Sequence, residues 1–210
     1  AATLTLAIVA GAWACTDVVA GKNATVDGSV ITSHTADGAF YDAKVRLIPG
    51  ATFPKDAKAD VFWNITTEED APPSKIGEIP QVEQTYAYFH VGYPFMNEHG
   101  VAIGETTIGQ KEDLKTFRPD ARAIMTIEQL EVFGLQRGKT AREVIAVMGN
   151  LAETYGFLPS CGSEGECLTV TDADEAWIFE VRSVGMMWTP DSKTPGAVWV
   201  AQRVPDDMVV

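Results

Sequence analysis

Cys15 is the residue whose type and position most directly predict chemistry. It follows Ala12-Trp13-Ala14, the A-x-A-like end of an uncharged, apolar stretch over residues 1–14, and such a stretch is typical of a signal-peptide core with its cleavage site. Cleavage there leaves a thiol and a free α-amino group on one residue. Because the ordinary pKa is about 7.7 to 8.0 for an α-amine and about 8.5 for a thiol, the amine can accept the thiol proton near neutral pH. The sequence therefore predicts an N-terminal cysteine nucleophile that carries its own base.

Two other interpretations of Cys15 stay open at this stage. A cysteine after an export signal can be the lipid-modified residue of a bacterial lipoprotein, although the third position before such a cysteine is usually Leu and is Ala12 here, followed by bulky Trp13. Cys15 could also be an ordinary small core residue, since cysteine is among the most buried residue types. The state of the Cys15 α-amine, free or blocked by lipid, separates the nucleophile from the anchor.

Composition restricts the classes of partner. The chain has 210 residues, 46% of them apolar, and a net charge of −13 without a cluster of Lys or Arg. Proteins that bind nucleic acids or anionic membrane surfaces present a cluster of positive charge, so neither is an expected partner. The apolar stretch is shorter than the roughly 20 residues of a membrane span. We expect residues 1–14 to be the remnant of a signal peptide or propeptide of an exported protein, and residues 15–210 to be the N-terminal part of one domain.

The other two cysteines permit a small disulfide-closed loop. Cys161 and Cys167 flank residues 162–166, and an exported protein meets oxidising conditions that favour pairing. Two unrelated buried thiols would give the same sequence. In either case Cys15 remains the odd cysteine, which marks it for attention.

The elements that must position Cys15 follow from hydrophobic patterning. Runs rich in β-branched and aromatic residues predict strands, and turn signals such as Asp27-Gly28 and His99-Gly100 separate them. The predicted strands cover residues 17–20, 29–33, 44–48, 61–63, 85–91, 101–105, 168–171, 176–181 and 197–202. Because the connections are short, we expect antiparallel pairing.

Two helices are predicted between the strand-rich segments. Each opens on a capping box, in which a threonine is followed three residues later by Gln or Glu. The pairs are Thr126 with Gln129 and Thr140 with Glu143. Gly138 and Gly156 mark the predicted ends. Strands, a helical hairpin and further strands indicate an α+β fold in which helices cover antiparallel sheets.

Several segments together resemble the C69 dipeptidases, which are relatives of the penicillin V acylases and choloylglycine hydrolases. The run from Met96 to Thr107 is the most specific of them. The others are Cys15-Thr16, Gly21 to Ala24, Asp27 to Ser29, Asp37, Ile79 to Gln81, Gln136 to Glu143 and Trp199 to Asp206. The resemblance covers essentially all of the chain after Ala14.

The resemblance implies both a fold and a reaction. The fold is the four-layer αββα sandwich of N-terminal-nucleophile hydrolases. The reaction is hydrolysis of dipeptides through a thioester on Cys15, with no metal or other cofactor. Hydrolysis of acyl amides such as penicillins or bile-salt conjugates is the alternative within the same chemistry, and a lipid-anchored protein without activity is the alternative outside it.

The resemblance also implies roles for residues near Cys15. Asp37 matches an aspartate that lies near the nucleophile and can orient the α-ammonium. Three places earlier many relatives have Arg, whereas this chain has His34, which as an ordinary histidine is charged only below about pH 6.5. Thr106 and Thr107 fall roughly where related acylases have an oxyanion-hole asparagine.

Substrate-binding and metal-binding candidates complete the sequence-based expectations. His34 is a candidate for substrate binding. Asn97 and Glu105, which lie in the run from Met96 to Thr107, are two more candidates. His90, Glu98 and His99 are not expected to bind a metal, because their spacing fits no helical H-E-x-x-H arrangement.

Overall fold

The computed structural model of the protein describes residues 15–37, 43–66, 73–159 and 164–210. The strands in these ranges are β1 (Thr16–Ala20), β2 (Ile31–Thr35), β3 (Arg46–Ile48), β4 (Lys58–Trp63), β5 (Ser74–Pro80), β6 (Tyr88–His90), β7 (Pro94–Asn97), β8 (Ala102–Ile108), β9 (Gly165–Thr171), β10 (Ala176–Ser183) and β11 (Ala197–Val204). The helices are α1 (Ile127–Arg137) and α2 (Ala141–Tyr155). None of the helices in these ranges is long and apolar enough to cross a membrane. The predicted signal segment and Cys161 lie outside the described residues.

A seven-stranded antiparallel sheet organises the molecule, in the order β11-β10-β9-β8-β7-β6-β3. Strand side chains alternate between the two faces of a sheet. One face packs against both helices and forms the main core. Its buried strand residues include Ile103, Leu168, Val170, Phe179 and Val181, packed with Leu130, Val144 and Met148 of the helices.

The other face of the large sheet carries a smaller sheet made of β1 and β2. Val19 of β1 packs against Ala176 and Val204, whose side chains alternate with the helix-facing ones. The free edge of β1 is also paired, because Val19 and Val210 exchange backbone hydrogen bonds of 2.8 and 2.9 Å. Helices, large sheet and small sheet therefore lie in successive layers, which confirms the α+β class.

Both α-helices begin at the threonine caps that the sequence predicts. Thr126 and Thr140 cap α1 and α2 by accepting from the backbone N–H three residues on, as predicted. The second half of each capping box differs. The Gln129 side chain accepts instead from the backbone N–H of Phe62 in β4 at 2.9 Å, and Glu143 accepts from the N–H of Lys139 at 2.7 Å. Gln129 thus ties the β4–β5 hairpin to α1.

The turn between β7 and β8 is the one predicted from His99-Gly100. Gly100 has a φ of +77°, a left-handed conformation that favours glycine. The buried Asn97 side chain accepts from the N–H groups of His99 and Val101 at 3.0 and 3.1 Å. Its amide donates to the carbonyls of Leu135 and Gly138 at 2.9 and 2.8 Å. The start of β8 is therefore fixed against the end of α1.

Candidate active site

Cys15 lies directly before β1 and is 8% exposed. Its carbonyl oxygen accepts a hydrogen bond from the Thr106 hydroxyl of β8. The next residue, Thr16, donates its backbone N–H to the Thr35 hydroxyl at 2.9 Å, at the far end of β2. The small sheet and the large sheet therefore both hold the backbone around Cys15.

Three chemically different groups converge at this point. The Cys15 Sγ, one ring nitrogen of His34 and one carboxylate oxygen of Glu105 all lie within 4.8 Å of one another. β2 supplies His34 and β8 supplies Glu105. Of the residues singled out from the sequence, the structure brings together Cys15, His34, Glu105 and Thr106.

Hydrogen bonding fixes which nitrogen of His34 carries its proton. The backbone N–H of Glu105 donates to His34 Nδ1 at 2.6 Å, so Nδ1 is the acceptor and the proton of the neutral ring lies on Nε2. His34 Nε2 is buried and has no hydrogen-bond partner among the described residues. In the neutral ring the remaining N–H donor is therefore at Nε2.

Asp17 lies beside His34 and was not among the residues singled out from the sequence. It lies opposite His34 in the β1–β2 pair, with its Oδ1 3.5 Å from His34 Nδ1. Thr169 of β9 donates its hydroxyl to Asp17 Oδ2 at 3.2 Å and lies 2.6 Å from the Thr32 hydroxyl. This network joins the small sheet to the large one beneath the thiol.

Gly104 makes this approach of the two sheets possible. A Cβ at position 104 would lie 2.7 Å from the Thr169 hydroxyl and 3.0 Å from both carboxylate oxygens of Asp17. Both distances are shorter than ordinary contacts of a carbon atom with oxygen. Gly104 therefore permits the close packing of Asp17 on β8.

Glu105 is fully buried. Burial raises the pKa of its carboxyl group, and the negative charges of Glu128 and Asp17 act in the same direction. The Glu166 carboxyl, which hydrogen bonds to it, and the nearby His34 oppose the rise. Two carboxyl groups in hydrogen-bond contact share a proton most easily, so the structure favours a protonated member in this pair.

The raised pKa of Glu105 leads to a prediction about stability. An unfolded glutamate ionises near pH 4.3, whereas the folded Glu105 holds its proton to higher pH, so its contribution to stability is complete below about pH 4 and is lost as pH rises through the folded pKa. We expect Glu105→Gln, which cannot ionise, to raise the denaturation midpoint at pH 7 and to leave it nearly unchanged at pH 3.5.

Urea unfolding of the two proteins across this pH range, followed by circular dichroism, measures the effect. Glu112→Gln is the matched control, because the Glu112 side chain is 86% exposed. Parallel stability curves for wild type and E105Q would contradict a raised pKa.

Cys167 is a poorer candidate nucleophile than Cys15. It lies in β9 opposite Thr106. Burial, reinforced by the charge of Glu180, raises the pKa of the Cys167 thiol to about 11, so little thiolate exists at neutral pH. Because Cys161 lies outside the described residues, its pairing with Cys167 stays open.

Three other sequence-based candidates are not among the converging groups. Asp37 is exposed after the end of β2 and makes no hydrogen bond or ion pair with the described residues. Thr107 pairs with Glu166 on the side of β8 that faces the helices. The Asn97 side chain makes four hydrogen bonds, two within the β7–β8 turn and two to carbonyls at the end of α1. The predicted roles of Asp37, Thr107 and Asn97 stay predictions.

The converging side chains also form a donor set of the kind that Zn²⁺ binds. His34 fits that use poorly, because its Nδ1 already accepts from the Glu105 N–H and metal binding at Nε2 would require loss of the remaining ring proton. In the described part of the chain, His90, Glu98 and His99 form no such group. Glu98 instead accepts from the Ala87 N–H at 2.9 Å, and His99 packs edge-on against Tyr86.

Comparison with known proteins agrees with this arrangement. The family model described as peptidase family C69 matches residues 14–210. The chain belongs to peptidase family C69. The match begins one residue before Cys15, and it includes the strands that supply His34, Glu105 and Thr106.

Curated relatives of this C69 chain carry dipeptidase names. A probable dipeptidase B of Streptococcus pyogenes serotype M3 is 26% identical over 206 residues, which cover 93% of this chain and 36% of the relative. A dipeptidase of Bifidobacterium longum is 26% identical over 213 residues, which cover 94% of this chain and 36% of the relative. The chain thus spans about a third of the length of the curated relatives it matches.

Proposed function

We propose that this C69 chain is the nucleophile-bearing part of a dipeptidase in which Cys15 is the N-terminal residue. The convergence of the Cys15 thiol with His34 and Glu105 carries the proposal. The family match and the names of the relatives give the reaction class. Export with removal of residues 1–14 is part of the proposal, because it creates the free α-amine.

The reaction proceeds in two halves through a thioester. The Cys15 α-amine takes the thiol proton, and the thiolate attacks the carbonyl carbon of the dipeptide bond. The carbon–nitrogen bond breaks, and the α-ammonium returns the proton to the departing amine of the C-terminal amino acid. A water molecule, deprotonated by the same amine, then attacks the thioester. The N-terminal amino acid leaves as a carboxylic acid, and the thiol is restored.

The neighbours of Cys15 have distinct roles in this proposal. The Nε2–H of His34 stabilises the thiolate before attack, since hydrogen bonding to the charged form favours it. Thr106 holds the Cys15 carbonyl and so orients the residue on which both nucleophile and base depend. The hydrogen bond from Thr169 to Asp17 ties β1 to β9 beside the His34 ring.

The proposal extends to the fold of the whole protein. The layers of helices, large sheet and small sheet are consistent with three consecutive layers of an αββα sandwich. In such a sandwich a second helical layer covers the outer face of the small sheet. We assign that layer to the part of the protein that corresponds to the remaining length of the relatives.

The test is direct detection of the acyl-enzyme. The full-length protein beginning at Cys15 is mixed with a dipeptide, quenched in acid within one turnover and analysed by peptide mass spectrometry. We expect the Cys15 peptide to gain the mass of the N-terminal aminoacyl group, and a Cys15→Ala variant to show no adduct. An adduct from penicillin or bile-salt amides alone would support an acylase instead. A native Cys15 blocked by lipid would overturn the enzymatic proposal.

A further inference from the structure

A cavity of about 480 Å³ borders the converging groups. His34 lines it, and a ring nitrogen of the same residue lies within 4.8 Å of the Cys15 Sγ. The volume is within the range of about 300 to 1,000 Å³ that is usual for small-molecule sites. His34 is therefore shared between the cavity and the place where the thioester is proposed to form.

The lining of the cavity includes both core residues and surface residues. Tyr93, Ala102 and Ile103 belong to the core, with exposed fractions of 4%, 7% and 3%. Ala43 and Met96 line the same cavity at exposed positions. The cavity thus connects the surface of the protein with its interior, so that a group from solvent can enter it.

Most of the lining is apolar, and its aromatic rings are held by neighbours. Val91 and Phe95 add to the apolar core residues. The Tyr93 ring packs 5.2 Å from the His34 ring, and the Phe95 ring stacks 5.7 Å from that of Phe89. A pre-organised surface of this kind binds without first paying to order its own side chains.

The charged residues give the cavity little attraction for an ionic ligand. None of the described lining residues is Lys, Arg or Asp. Glu131 of α1 lines the cavity, but it is 1% exposed and already interacts with other groups of the protein, so we assign it no role in binding. Thr32 and Ser33 are polar but uncharged. The cavity therefore suits an apolar group.

We infer that this cavity binds the side chain of the N-terminal residue of the dipeptide and selects apolar side chains such as that of leucine. The inference rests on the proposed function, which places the carbonyl of that residue at the Cys15 thiol. Because the N-terminal residue stays bonded to Cys15 in the thioester, a site for its side chain acts in both halves of the reaction. The driving force is removal of apolar surface from water.

Two dipeptides of nearly the same shape test the inference. The full-length protein beginning at Cys15 is assayed with Leu-Ala and Asn-Ala, whose N-terminal side chains differ in polarity but hardly in size. Burying an amide without hydrogen-bond partners is unfavourable, and one methylene group in an apolar pocket already changes the rate by about 10- to 200-fold. We expect kcat/KM to be at least about tenfold higher for Leu-Ala, and the reversed pair, Ala-Leu and Ala-Asn, to differ less.

Ala43→Phe tests the cavity itself. Ala43 is exposed, so a phenyl group there occupies cavity space with little effect on folding, which circular dichroism verifies. We expect the ratio of kcat/KM for Leu-Ala to that for Gly-Ala to fall by at least about tenfold, since glycine has no side chain to place in the cavity. Ala24→Phe is the matched control, because Ala24 is exposed and does not line the cavity; it is expected to keep the wild-type ratio.

Equal wild-type rates on Leu-Ala and Asn-Ala would overturn the inference and leave the proposed dipeptidase intact. A preference confined to the reversed pair would also overturn it, because the cavity would then hold the residue that departs as the amine. A wild-type ratio in A43F would show that the preference arises elsewhere. No hydrolysis of any dipeptide would overturn both proposals.

Discussion

A protein that retains Ala14 ahead of Cys15 is expected to hydrolyse dipeptides at least about a hundredfold more slowly than one that begins at Cys15. The extra residue converts the α-amine into an amide, which cannot accept the thiol proton. General acid–base catalysis by a positioned group contributes about 10² to 10⁴ in rate. Steady-state kinetics on the two full-length proteins, which differ by one alanine, measure the loss.

Two controls separate loss of the base from loss of the nucleophile. Cys15→Ala removes the nucleophile and is expected to abolish turnover, whereas the Ala14-extended protein keeps a thiol that iodoacetamide still alkylates at high pH. Circular dichroism confirms that both proteins fold. If the extended protein matches the mature one in rate, the α-amine is not the base, and His34 becomes the group to examine in that role.

In the proposed mechanism the nucleophile and the base are on one residue, so the surrounding site has a single residue to orient. An N-terminal cysteine needs orientation of one residue, because the α-amine and the thiol are attached to the same Cα. β1 and β2 hold that residue laterally, while Thr106 holds its carbonyl from the large sheet. The proposed role of His34 is then to stabilise the thiolate.

The helices and their order could be predicted from sequence because their signals are local. The Thr126 and Thr140 caps are separated by three residues from their partners, and the residues between the caps and the next glycines repeat with helical spacing. By contrast, the sequence pattern does not predict β5 and β7. β5 contains Gly77 and ends at Pro80, and β7 begins with Pro94. Such residues signal turns, and only pairing with neighbouring strands overrides them.

A site residue could be predicted from the sequence when one motif or one local segment points to it. Cys15 follows from the segment before it, and Glu105 and Thr106 lie in the most specific run of the resemblance to the C69 family. Asp17 and Thr169 could not be found in this way. They meet only because β1 packs across β9, although they are 152 positions apart in the chain.

Glu131 is a further residue whose surroundings could not be predicted from the sequence. In the sequence it is one charged residue in a helix, where a solvent-exposed position is the ordinary expectation. It is nevertheless 1% exposed, because α1 packs against the large sheet.

Replacing His34 gives the second large effect. In His34→Leu both the acceptor for the Glu105 N–H and the Nε2–H donor are lost. Removing one donor that stabilises developing negative charge typically costs about 10² to 10³ in rate, and we expect kcat/KM on dipeptides to fall by about a hundredfold. The pH profile of Cys15 alkylation by iodoacetamide should also move to higher pH, because the thiolate loses a hydrogen-bond donor.

His34→Gln is the conservative partner of this variant, since a glutamine amide can both accept from the Glu105 N–H and donate toward the thiol. We expect it to recover most of the activity and the wild-type alkylation profile, even though it carries no charge at any pH. This comparison decides how position 34 acts. If H34Q behaves like H34L, a neutral donor is insufficient and the site requires a protonated histidine. If both variants alkylate like wild type and lose only stability, His34 is a structural residue that holds β2 against β8.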